Sequence, residues 1–208
     1  MMRSLNEIET TLRKAAIGGG LPVGAADDIG RAAGWLSAEG FDGVAAALRG
    51  LASPPGAATA EKTPGGLRFP DARAAGAGIA ALDLLLAGAA EGAVRLENLD
   101  APLLLLGLAG VAASAHRTAF ALESDGFRAE VTADATTVSG PVPSPGRPVS
   151  LRKLADLSAE ATAGRNIGGI DVPDEAWAEA LRLASLTYVP ASDRSRLSGA
   201  GAGLRDND

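Results

Sequence analysis

The stretch Ala101–Val131, APLLLLGLAGVAASAHRTAFALESDGFRAEV, changes its periodicity half-way along, and that change decides the fold class. As far as Ala115 it is apolar almost all round, bounded by Asp100 and His116. It is too short for the roughly 18–20 residues a bilayer span needs. Asp100 followed by Pro102 reads as an N-cap region opening a buried helix through Leu104, Leu105, Leu108 and Val111. A buried strand leading into a helix fits the same run, because periodicity alone does not separate the two. Past His116 the pattern becomes period two: Thr118, Phe120 and Leu122 alternate, then Phe127, Ala129 and Val131. Asp125-Gly126 between them is a strong two-residue hairpin signal.

Working outward, the N-terminal side is helical. Ser4-Leu5-Asn6-Glu7 is a capping box, followed by Leu5, Ile8, Leu12 and Ala15 at helical spacing and stopped by Gly18-Gly19-Gly20. A second helix fits Ala25–Glu39 and a third, short one Gly43–Leu51. Residues 52–66, ASPPGAATAEKTPGG, read as an exposed loop, since proline and glycine break both helix and strand. Helical character resumes over 72–90, and Ala93–Leu96 fits a short strand. On the C-terminal side a strand fits Thr136–Ser139. It is followed by a Pro-rich connector over 140–150, weak helical character over 151–163, and a helix opened by Pro173-Asp174-Glu175. Helices, then a cluster of strands, then a terminal helix give an α+β class: Ala/Leu-rich helices with a small antiparallel sheet around Asp125-Gly126. One domain over 1–208 is expected.

Composition narrows the function classes. The chain has 208 residues, a formal charge of −6 and no cysteine. An acidic chain with scattered arginines lacks the electrostatic footprint of a nucleic-acid binder. The missing thiol removes disulfides, thiolate nucleophiles and Cys-ligated zinc. MMRSLNEIET has no apolar signal core, so a soluble cytoplasmic protein without membrane attachment is expected. Hydrophobic residues make up 47% but aromatics only 3%, so the core is built from small units that pack closely and each bury little area. A homo-oligomer interface is one way to complete such a core.

His116 is the only histidine, so a Ser-His-Asp triad would have to use it and a multi-histidine metal site is excluded. Nothing in its spacing supplies partners, and it is read as non-catalytic. Gly18-Gly19-Gly20 lacks the following Gly-Lys-Ser/Thr of a phosphate loop and reads as a helix end. Asp27 and Arg31 stand at i,i+4, the spacing of an exposed ion pair. The segment from Tyr188, YVPASDRSRLSGAGAGLRDND, is denser in chemistry. Serines, arginines and glycine-freed amides are the vocabulary of carboxylate or phosphate binding. Its Asp-Asn-Asp end is a set of hard oxygen ligands suited to a divalent cation, and no other cofactor is indicated.

SLNEIETTLRKAAIGGG, GAADDIGRAAGWLSAEG and this C-terminal segment together resemble a bacterial domain-of-unknown-function family, the one numbered 3726. The likeness covers about the first fifty and last twenty residues. It implies a bacterial soluble protein and names no reaction. It also implies that the Ser/Arg and GAGAGLRDND ending is ordered, and it draws attention to Asn6, Glu7, Lys14 and the Asp28…Arg31 pattern. Leu21-Pro22-Val23 stands where the family carries bulkier residues.

The resulting expectation is a small enzyme acting on an anionic carboxylate metabolite, an amino or keto acid derivative, by lyase, isomerase or hydrolase chemistry without a covalent cysteine. Glu7, Lys14 and Asp28 are the expected acid–base groups. Asn6, Arg31, Ser192, Ser195, Arg196, Gly199, Gly201, Gly203 and Asn207 are the expected substrate contacts. Asp206 and Asp208 are the expected ligands of a divalent cation. The competing expectation is a non-catalytic accessory or oligomer-forming subunit whose C-terminal tail docks into a partner.

Overall fold

The computed structural model describes residues 1–53, 56, 58–90, 92–154 and 168–188. Among these the chain runs β1 (Met2–Arg3), α1 (Leu5–Gly18), α2 (Val23–Ala38), α3 (Gly43–Leu51), β2 (Glu61–Thr63) and β3 (Gly66–Phe69). A π-helical turn (Ala74–Gly78) then continues as α4 (Ile79–Leu86), followed by β4 (Ala93–Leu96) and α5 (Pro102–His116). The rest is β5 (Ala119–Ser124), β6 (Phe127–Val131), β7 (Thr136–Ser139), β8 (Val149–Leu154), β9 (Ile170–Asp171) and α6 (Asp174–Ser185). The class is α+β.

The expected hairpin is present: β5 and β6 are antiparallel, with Ser124 opposite Phe127 and Gly126 at a φ of +69° in the turn. It belongs to a seven-stranded sheet of order β2-β3-β4-β8-β5-β6-β7, antiparallel except between β3 and β4; β1 and β9 pair separately. Because facing residues share a side of the sheet, the register alone sorts its two faces. Leu67, Val94, Leu151, Leu122, Ala129 and Val138 form one row across six strands, and this face packs beneath α4 and α5. One residue along, Glu61, Arg68, Arg95, Ser150, Glu123, Arg128 and Ser139 form a row on the opposite face.

The apolar run resolves as helix. Pro102 occupies the first turn of α5, where its missing N–H costs nothing, and Arg117 ends the helix in the left-handed region at a φ of +47°. A helix apolar all round must be covered on all sides. The sheet lies against one side of α5, with α2 and α3 against others, and Leu104, Leu105 and Leu106 are fully buried. The seam between α2 and α5 is tight at Gly110, where a Cβ would overlap the Trp35 ring. On its other side α2 meets α1, and the Glu9 side chain lies across Gly34.

Three elements differ from the sequence reading. Val149–Leu154, part of it assigned weak helical character, is the strand joining the two halves of the sheet. Val149 and Leu151 are buried with Ser150 and Arg152 half-buried between and after them, but the alternation already fails at the exposed Lys153, so the run is too short to outweigh the helix-forming residues after it. Within the segment read as an exposed loop, β2 pairs with β3; its three residues are all exposed, so no apolar signal marks it. The helix expected from residue 72 begins instead as a π turn at Ala74, whose N–H donates to Asp100 Oδ1 at 2.8 Å. That cap comes from a distant residue and leaves no local signature.

Candidate functional site

The packing of α2 against α5 and α4 fixes where polar groups can gather. Asp28, Arg31, Trp35 and Ala38 recur at i, i+3, i+7 and i+10, a single stripe on α2. Ile79, Leu82, Asp83 and Leu86 make the equivalent stripe on α4; Leu108, Val111, Ala112 and Ala115 make it on α5. Where the three stripes meet there is a cleft of about 130 Å³. Its floor is aliphatic, and its polar groups are Asp28, Arg31, Asp83 and His116.

Arg31, Asp83 and His116 are exposed and Asp28 is half-buried. Among the described residues neither Asp28 nor Arg31 makes a hydrogen bond or an ion pair. Asp27 pairs with Arg13 of α1, so the i,i+4 partnership expected between Asp27 and Arg31 is not formed. Half-burial raises the Asp28 carboxyl above its ordinary value, and the Asp83 charge raises it further. Arg31 acts in the opposite direction. His116 is the last residue of α5, at a helix end that favours a cation.

A second, larger groove of about 440 Å³ adjoins the cleft and shares Arg31, Val111 and Ala115 with it. Leu5, Trp35 and Ala38 give this groove an apolar wall. Trp35 is only 7% exposed, and its indole N–H has no hydrogen-bond partner among the described residues. Glu9 borders the groove; burial raises its carboxyl, again opposed by Arg31. One guanidinium thus stands between two half-buried carboxylates. It can grip an anionic oxygen pair, while the carboxylates can take a cationic group or exchange a proton with a ligand.

Of the residues expected from sequence, Asp28 and Arg31 are brought together here. Glu7 is placed elsewhere: its carboxylate accepts from the Ser4 N–H and Oγ, both at 2.9 Å, and lies 3.5 Å from Arg3. The Ser4 N–H above all, then its hydroxyl and Arg3, hold the Glu7 carboxyl below its ordinary value. Asn6 is exposed in the same first turn. The Lys14 ammonium sits 5.6 Å from the centre of the Tyr188 ring. None of these three lines the cleft. Ser192, Ser195, Arg196, Gly199, Gly201, Gly203 and Asn207 lie outside the described residues, as do Asp206 and Asp208. Among the described residues no group of three or more His, Asp or Glu could hold a metal ion.

Sequence reading passed over two of the four polar groups. Asp83 is the one charge in the apolar run IAALDLLL, which is itself a signal. Nothing in the spacing around His116 supplies partners; the crossing of α5 with α2 and α4 does.

The model of a family described as "Protein of unknown function (DUF3726)" matches residues 3–93, which include Asp28, Arg31 and Asp83 and stop short of α5. No curated protein matches the chain by sequence. Among solved structures it is similar to malate dehydrogenase from Entamoeba histolytica, at 10% identity and a TM-score of 0.47, over 70% of this chain and 51% of that one. The chain therefore spans about half the length of that enzyme.

Proposed function

We propose that the chain binds a small carboxylate metabolite carrying an amino group, and acts on it as an acid–base enzyme, in the cleft between α2, α4 and α5. The observation that carries this reading is the unpaired Arg31 guanidinium beside the half-buried Asp28. Arg31 takes the ligand carboxylate, and Asp28 with Asp83 takes the ammonium. At well under the roughly 300–1,000 Å³ typical of drug-sized ligands, the cleft suits a head group of metabolite size. Asp28 and His116 are its proton-transfer groups, the first raised toward neutrality by burial and by Asp83. Ser195 and Arg196 stay in the reading as a second grip on the carboxylate.

Calorimetric titration with a panel of amino and keto acids tests it. The full-length chain binds at least one member, and Arg31→Ala weakens that binding about ten- to a hundredfold while the protein stays folded. Retained affinity in Arg31→Ala would sink the assignment. Unchanged affinity in a Ser195→Ala, Arg196→Ala double variant would remove only the second grip.

The accessory-subunit reading is favoured by a different observation. Leu181, Leu186 and Tyr188, at the C-terminal end of α6, are 49%, 61% and 61% exposed. A monomer by analytical ultracentrifugation, unaffected by Leu181→Glu, would dispose of self-association through that end.

A further inference from the structure

We infer that the Trp35 groove is the second half of the same site, and that it receives an uncharged apolar side chain, so that the ligand is a large aliphatic or aromatic amino acid. This inference rests on the carboxylate-binding reading of the cleft.

The two cavities adjoin, because Arg31, Val111 and Ala115 line both. Arg31 stands at their junction, so a carboxylate held there leaves its ammonium on the Asp28 side and its side chain on the Trp35 side. The first lobe, about 130 Å³, accommodates little beyond the head group; the second, about 440 Å³, has room for a large substituent. The walls of the second lobe are of the matching kind: Leu5, Trp35, Ala38 and Val111. Trp35 is a rigid wall, since its ring is backed by the Cα of Gly110 with no room for a Cβ between them. Selectivity against an anionic side chain is built in as well. Glu9 borders this lobe, held across Gly34, and repels a second ligand carboxylate.

The test is a ligand series on the full-length chain, read by isothermal calorimetry: glycine, alanine, norvaline, norleucine, phenylalanine and glutamate. Each methylene that enters the groove tightens the dissociation constant by about fourfold. Norleucine therefore binds far more tightly than alanine, and glutamate falls below norvaline. Leu5→Asp, which introduces a charge into the apolar lobe at the first turn of α1, brings norleucine back toward alanine. Equal dissociation constants for alanine and norleucine, or a preference for glutamate, would overturn the apolar lobe and leave the head-group site standing. If no amino acid binds, the head-group reading falls, and this inference with it.

Discussion

Charges on the polar face of the sheet and charges in the α2 cleft obey opposite rules. Across the sheet the register sets Glu61 beside Arg68 and Glu123 beside Arg128, and the ion pairs form: Arg128 reaches Glu123 at 3.4 Å, and Arg152 reaches the same carboxylate at 2.8 Å. Their side chains are 41–55% exposed, and pairs so open to solvent carry little energy. In the cleft, Arg31 has Asp27 one turn away on its own helix, yet Asp27 pairs with Arg13 instead. Asp28 is half-buried with a second carboxylate near it, an arrangement that charge balance alone would not select. Charges on the sheet face pair with one another, whereas in the cleft the exposed Arg31, Asp83 and His116 stand around a half-buried Asp28 with no ion pair among the described residues.

The contrast depends first on the α2–α5 seam, because the cleft has a fixed shape only if those helices cannot slide. Gly110→Val is the largest expected effect. Its side chain would meet the Trp35 ring, and overpacking of this kind costs about 3 kcal/mol. Thermal denaturation should show the melting temperature falling by roughly 6–12 °C. A fall of only a degree or two would mean that the seam is loose and that the cleft geometry is not imposed by it.

Next in size is Arg31→Ala. Losing a charge-assisted grip on a ligand carboxylate costs about 1.5–3 kcal/mol, ten- to a hundredfold in affinity. Arg31 makes no hydrogen bond or ion pair among the described residues, but its charge opposes the raised carboxyls of Asp28 and Glu9, so the unliganded variant should melt about 1–2 °C lower at neutral pH. Loss of stability without loss of binding would put Arg31 in the same category as Arg128.

Asp28→Asn separates the two regions by sign. The folded-state carboxyl of Asp28 is raised above its unfolded value, so its stabilising contribution is complete only while it is protonated and is lost as pH rises through the raised value. The wild-type protein therefore carries a penalty at neutral pH that the amide does not. Asp28→Asn should melt about 1–2 °C higher than wild type at pH 7, with the gap closing on acidification below the ordinary carboxylate range. Its ligand affinity should nonetheless drop. A variant at once more stable and less able to bind marks a residue kept for function.

How much of this was legible beforehand follows from the range of the interactions. Local ones were: the Ser4–Glu7 box, Pro102 opening α5, and the Asp125-Gly126 hairpin each depend on neighbours a few residues apart. Spacing points to Asp27 with Arg31, a pair that does not form, whereas Asp28 with Arg31 comes from the family resemblance, and one face of α2 carries both. Glu7 and Lys14 occupy corresponding positions two turns apart on α1, and the fold turns them to Arg3 and Tyr188 rather than to the cleft. His116 and Asp83 reach Asp28 only through helix crossings, and no spacing in the chain encodes a crossing. β8 escaped for a related reason: its place between β4 and β5 is set by pairing across distant sequence, and its own alternation is brief.

The smallest expected effect is the control that gives the others meaning. Arg128 carries two carboxylates, Glu123 and Glu130, more contact than Arg31 has with anything among the described residues. Counting contacts would therefore rank it the more important arginine. Yet its partners are solvated, and Glu123 keeps Arg152 at 2.8 Å when Arg128 is removed. Arg128→Ala should leave the melting temperature within about 2 °C of wild type and ligand affinity unchanged. Raising the salt concentration should shrink even that difference, since exposed pairs are screened. A larger loss that persists in high salt would mean that the sheet face is buried against something, and the distinction between a solvated charge row and a functional cleft would fail at its simpler end.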